Sequence, residues 1–199
     1  MEYFASAIKK GEAGPVLLEK ALIKKGNIPL LLAITSHKET QDIRSFVLEA
    51  GAWFQNHAAQ KLRKKATSPG NDRETLFEAL LEEKKIADLR ERSEKGEISF
   101  AFCAGNCALI SGPCACLLQS SFGRVSATAL FYSGDDIIIL EEGATLVLAG
   151  SKTSITDDRE RLECLFFARD EESLERALRE VSEDQTDIGM ICIKTGSSV

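Results

Sequence analysis

The side chains of this chain that could do chemistry fall into three groups: six cysteines, two histidines and a few paired acids. Cys103, Cys107, Cys114 and Cys116 lie in apolar, strand-like text, with Cys164 and Cys192 further on. Their spacing, Cys-x3-Cys-x6-Cys-x-Cys, lacks the two-residue knuckles of common zinc sites. With no export signal the thiols are expected to stay reduced, and a buried free cysteine packs as a small hydrophobe. A nucleophilic thiol needs a cationic or histidine neighbour to lower its pKa, and Cys103-Ala-Gly-Asn-Cys107 has none nearby. Core packing is therefore expected, with a cysteine redox or zinc site as the competing reading. His37 stands in a loop, where functional residues gather, but no second histidine or cysteine stands at ligand spacing. His57 shares the apolar face of a helix and is expected to be half-buried and hydrogen-bonded. Glu141-Glu142 ends an apolar strand and either binds a metal or turns into solvent. Asp157-Asp158 and Asp170-Glu171-Glu172 read as helix-start acids that complement the dipole.

Several function classes are disfavoured. No phosphate-cradling Walker pattern, no Gly-x-Gly-x-x-Gly and no Gly-x-Ser-x-Gly string occurs. Against 31 Asp and Glu the chain sets 25 Lys and Arg, a formal charge of -6, the wrong sign for nucleic acid or anionic lipid. No apolar run approaches the roughly 18 residues that span a bilayer, and the N-terminus lacks a basic segment ahead of an apolar run. The expectation is a soluble, cytoplasmic protein with no nucleic-acid or membrane partner.

The elements that must position these residues begin with three strands, Tyr3–Ile8, Val16–Ile23 and Ile28–Ile34, separated by glycine turns. Ser36-His-Lys-Glu39 reads as a capping box. Behind it Ile43, Phe46, Val47, Ala50, Trp53, Phe54, His57, Ala58 and Leu62 form the apolar stripe of one long helix reaching Lys65. Asn71 and Glu74 suggest the cap of a second helix carrying Leu76, Phe77, Leu80, Leu81 and Ala87. Short strands then follow at 98–103, 107–110, 115–118, 125–132 and 137–140, read as an antiparallel meander. A helix over Glu171–Ser182 and a last strand, Ile188–Ile193, complete the chain. Strands grouped apart from helices predict an α+β fold: a four-layer αββα sandwich, two antiparallel sheets flanked by helices, in one domain spanning 1–199.

This order of elements, with several short strings, resembles the metal-dependent (PPM-type, type 2C) serine/threonine phosphatases and their compact sporulation-type members. The family's Glu-Asp pair falls on Glu19-Lys20, and its Asp-Gly before a long helix on Thr35-Ser36. Its Gly-Asp-Ser-Arg-Ala hairpin, after a strand opening at a Gly-Asn turn, resembles Gly105-Asn106 through Gly112-Pro113-Cys114-Ala115. Its Gly-Asp, apolar strand, Asp-Gly series resembles Gly134-Asp135-Asp136 through Glu141-Glu142-Gly143, and its Asp-Asn before a terminal strand falls on Thr186-Asp187.

The resemblance implies two Mg²⁺ or Mn²⁺ ions held by aspartates between the sheets, activating a water that attacks phosphorus. At the aspartate positions this chain presents Lys20, Thr35, Glu142 and Thr186, with Asp187 beside the last. Hard divalent cations need oxygen ligands, preferably carboxylates, and an ammonium in place of one repels the ion by several kcal/mol at about 4 Å and an effective dielectric near 20. A two-metal clamp cannot be rebuilt from Glu142 and Asp187 alone. The expectation is thus a degenerate phosphatase-like domain with no catalytic residues, no cofactor, and Glu142 and Asp187 as the remnant of a metal site. It would act as a regulatory or protein-binding module for a protein partner such as a kinase or phosphoprotein. The alternative is a divergent, active Mn/Mg-dependent phosphoprotein phosphatase using Glu39, Asp42 or Asp136.

Overall fold

Alternation of side chains along the strands builds the molecule. In β3 (Ile28–Ser36), Leu30, Leu32 and Ile34 point to one face and Leu31 and Ala33 to the other, and all five are buried. A strand buried on both faces must lie inside a layered structure. The computed structural model describes residues 2–23, 27–65, 77–78, 80–113, 115–121, 124–129, 137–150 and 159–196. Two five-stranded antiparallel sheets face one another. One has the order β1 (Glu2–Lys10), β10 (Ile188–Gly196), β9 (Thr145–Ala149), β6 (Ala115–Ser121), β7 (Arg124–Ala129). The other has β2 (Val16–Ile23), β3, β4 (Ile98–Ala104), β5 (Cys107–Ser111), β8 (Ile137–Ile139).

Three apolar layers separate four structural ones. Between the sheets lie mainly small and branched residues, among them Ala5, Ala33, Ala101, Cys103, Ala108, Leu148 and Ile191. On the outer face of the second sheet, Phe100, Phe102 and Leu109 meet α1 (Gln41–Trp53), α2 (Ala59–Lys65) and α3 (Lys84–Glu94). On the outer face of the first, Val147, Met190 and Cys192 meet α4 (Arg159–Phe167) and α5 (Glu171–Val181). This is the expected αββα sandwich.

The meander is corrected in one respect. β4, β5 and β8 stay in one sheet, but β6 and β7 belong to the other, so the chain changes sheets after Ser111. Gly112, at φ +133°, followed by Pro113 ends the pairing there. One further element, β9, has no counterpart in the sequence reading, while α4 follows the helix-start acids Asp157-Asp158.

The first long helix also differs. Thr40, not Ser36, caps it: its hydroxyl accepts the Ile43 N–H at 3.2 Å, while Ser36 still belongs to β3. Phe46, Ala50, Phe54, Ala58 and Leu62 recur every four residues. On a regular helix a four-residue spacing drifts by about 40° per step. A π-helical turn over Phe54–Ala58, with Ala59 N–H bonded to the Phe54 carbonyl, unwinds that drift and keeps the stripe on the sheet. His57 is thereby turned off the stripe: its side chain is 55 % exposed, with Nε2 3.4 Å from the Glu83 carboxylate, not half-buried on the apolar face. The second helix is interrupted at 82–83 before α3 begins. Its expected cap at Asn71 and Glu74 lies outside the described residues, as do Asp135-Asp136 and Asp157-Asp158.

Candidate functional site

One end of the sandwich gathers most of the positions singled out by sequence. β3 ends there at Thr35-Ser36, β2 begins at Val16, β9 ends at Ala149 and β10 begins at Ile188. The registers Val16↔Thr35, Thr35↔Ser99 and Met190↔Ala149 fix this neighbourhood. The hairpin from β5 brings Gly112 to the same end, against Ser99. Three of the strings quoted above, those of Thr35-Ser36, Gly112-Pro113 and Thr186-Asp187, meet in space.

Backbone, not side chains, fills the spot where they converge. The Ser36 N–H donates to the Pro15 carbonyl at 3.1 Å, and the Gly150 N–H to the Gly189 carbonyl at 2.7 Å. A Cβ on Gly14 would lie 2.6 Å from the Ser36 carbonyl oxygen, and one on Gly150 would lie 2.5 Å from it. The Ser36 hydroxyl accepts the Lys38 N–H at 3.2 Å and lies 3.0 Å from the carbonyl oxygens of both Lys38 and Glu97. Thr35 is fully buried and its Oγ1 has no hydrogen-bond partner. His37 lies half-buried beside the Gly150 backbone with Nε2 unpartnered. Burial pulls its pKa down, a polar contact with Gly150 opposing, so the imidazole is neutral near pH 7.

The sequence-predicted ligands divide between the two ends. Asp187 is at this end: its Oδ1 accepts the Glu12 N–H at 2.7 Å, and the Thr186 hydroxyl donates to Oδ2 at 3.4 Å. Glu142 is exposed in the turn before β9, where the Gly143 N–H donates to the Thr195 carbonyl at 3.1 Å. That turn adjoins the far end of β10, roughly 25 Å from Asp187 at the usual rise per strand residue. The structure therefore does not bring Glu142 and Asp187 together. The residue that reaches this end from that turn is Gly150, at the close of β9. The uninterrupted apolar run Thr145-Leu-Val-Leu-Ala149 was the signal that would have found it.

Glu19 and Lys20 lie midway along β2. The Gln55 amide donates to Glu19 at 2.5 Å, and the Lys20 ammonium pairs with the Glu171 carboxylate. Glu39 and Asp42, the alternative ligands, are already occupied. Glu39 is held by Lys9 at 2.6 Å and by Arg44, and Asp42 by Arg92 at 2.5 Å. These hydrogen bonds to cations hold both carboxyls below their ordinary pKa.

Among the described residues no three histidine, cysteine or acidic side chains cluster in a way that could hold a metal. Among the described residues the donors singled out at this end are the engaged Asp187 carboxylate, the Thr35, Ser36 and Thr186 hydroxyls and the neutral His37 imidazole. That set does not suit a pair of hard divalent cations, which take six or more oxygens and favour charged ones.

Among the described residues the cysteines are not a clustered set either. Cys103, Cys107 and Cys192 are buried and Cys164 is exposed. Burial pushes the Cys103 thiol up to about 12. At pH 8 a maleimide is expected to modify Cys164 in the native protein and to leave Cys103 untouched until the chain is unfolded, as read by peptide mass spectrometry. Fast native labelling of Cys103 would revive a redox reading. The side chains of Cys114 and Cys116 lie outside the described residues.

No family model and no curated protein matches the sequence. Solved structures do match. RsbX in complex with magnesium aligns at 10 % identity and a TM-score of 0.55, over 96 % of this chain and 92 % of that one. The PP2C phosphatase domain of SpoIIE from Bacillus subtilis aligns at 10 % identity and 0.54, over 98 % and 63 %. The Mycobacterium tuberculosis serine/threonine phosphatase PstP/Ppp aligns at 12 % identity and 0.52, over 98 % and 99 %. At such identities the likeness is one of fold.

Proposed function

We propose, from the premise that the chain has the PP2C (PPM-type) phosphatase fold, that residues 1–199 form one degenerate phosphatase-like domain acting as a protein-binding, regulatory module. The observation that supports this is the end of the sandwich where β3 stops and β10 starts. Thr35 and Ser36 stand at one of the motif positions there, and Asp187, the carboxylate at another, is bonded to the Glu12 backbone. Two Mg²⁺ or Mn²⁺ ions carry four positive charges, and one engaged carboxylate does not balance them. We assign no catalytic residue and no cofactor, and no hydrolytic step is derived.

Among the described residues no helix is long and apolar enough to cross a membrane. We place the protein in the cytoplasm, in signalling, with a kinase or a phosphoprotein as the class of partner. The PP2C domain of SpoIIE, described as a cell fate determinant, and PppA, described as a key regulatory component, are regulatory proteins of the same fold.

The test is direct. Incubation with Mn²⁺ or Mg²⁺ and either an aryl phosphate or a phosphoserine peptide is expected to give no turnover above buffer. Calorimetric titration with Mn²⁺ is expected to show no saturable site. Metal-dependent hydrolysis that disappears on Asp187→Ala but survives Glu142→Ala would overturn the reading and favour a divergent, active phosphatase.

A further inference from the structure

We infer that the chain forms a twofold dimer in which β1 pairs antiparallel with β1 of a second copy, centred on Ser6. β1 is the edge of its sheet, and β10 is the one strand that pairs with it among those described. Nine residues make a long open edge, a ready template for another strand.

What selects the partner is the sequence of the strand, Glu2-Tyr-Phe-Ala-Ser6-Ala-Ile-Lys-Lys10, which complements itself about its centre. A twofold axis normal to the sheet at Ser6 sets Glu2 opposite Lys10, Tyr3 opposite Lys9, Phe4 opposite Ile8 and Ala5 opposite Ala7. In each pair both residues have the same parity, so both side chains project to the same face, as a cross-strand pair must. The centre is small, Ala-Ser-Ala, so two edges can close without a clash. Phe4 and Ile8 are half-buried, packed at the margin of the layer beneath α5, and their pairing covers the apolar surface that β10 and α5 leave open.

The charges agree. Glu2 has no cationic partner among the described residues, and the Lys10 ammonium reaches the Ser182 carbonyl at 2.6 Å but no carboxylate. These two unmatched charges, at opposite ends of one strand, are the pair the twofold axis joins. A groove of about 570 Å³ runs beside β1, lined by Ser6, Ile8, Lys10, Arg176, Arg179 and Glu183, and it leaves the strand accessible. Its rim carries both signs, as a surface that meets its own copy requires.

The test uses the full chain and its mass in solution by light scattering and sedimentation equilibrium across a concentration series. A reversible dimer is expected. Ser6→Lys, which sets lysine against lysine at the axis, is expected to give a monomer. Glu2→Lys alone and Lys10→Glu alone are each expected to raise the dimer dissociation constant about tenfold. The double variant Glu2→Lys with Lys10→Glu is expected to restore it, because the strand is again self-complementary. Should Ser6→Lys fail to fold, the charge-swap series decides. A wild-type monomer throughout the series, or a dimer indifferent to these substitutions, overturns the proposal.

Discussion

Phe102→Ala is expected to lower the unfolding free energy by about 3–5 kcal/mol, the range for removing a fully buried phenylalanine, as measured by urea denaturation. The ring is fully buried at the centre of the helix-facing layer. Phe77 stacks on it at 5.5 Å between centroids, Phe54 meets it edge-on at 6.3 Å, and Trp53 is tilted at 6.1 Å. Three of these rings come from the helical layer and one from β4, so truncation removes the contact that ties the layers together. The cavity cannot refill cheaply, because Phe54 is held in the π-helical turn and its position is fixed by the run behind it. A loss below about 1 kcal/mol would mean that the helical layer is not packed as described.

Gly112→Ala is expected to cost on the order of 2–4 kcal/mol, combining backbone strain with overpacking. The residue has φ +133°, and a Cβ there would lie 2.4 Å from the Ser99 Cα and 2.6 Å from its Cβ. Both obstacles belong to β4, a central strand, and cannot rotate away. The Ser93–Ser111 hydroxyl pair next to it, 2.7 Å apart and buried, would be displaced as well. Equilibrium unfolding measures the loss, and an unchanged midpoint would refute the close approach of Gly112 to Ser99 where the chain passes from one sheet to the other.

The layered architecture was legible in the sequence because strands buried on both faces write near-continuous apolar text, as in Leu30 through Ile34. Patterns whose meaning depends on three-dimensional competition were not. Ser36 has the form of a cap, yet β3 continues through it and its hydroxyl is spent on Lys38 and Glu97, so Thr40 caps the helix instead. His57 sits on the stripe by count, but the π-helical turn re-phases the face and moves it into solvent. At the candidate site, Thr35-Ser36 and Thr186-Asp187 come to the same end of the sandwich, since both flank strands with clear apolar runs. Glu142 does follow the apolar strand at 137–140, but the turn it occupies leads into β9, and the pairing of β9 with β10 sets it at the far end from Asp187. A string match cannot tell the two ends of a strand apart; pairing does.

The close approach of Gly14 and Gly150 to one carbonyl oxygen bears on how reversible the present state of this fold is. An acid introduced at either position would need its first side-chain carbon where the Ser36 oxygen already stands. A side chain at either position therefore cannot be accepted by a rotamer change alone, because the main chain has to separate first. Replacement at either glycine stays closed until the segments leading into β2 and out of β9 draw away from the end of β3 together.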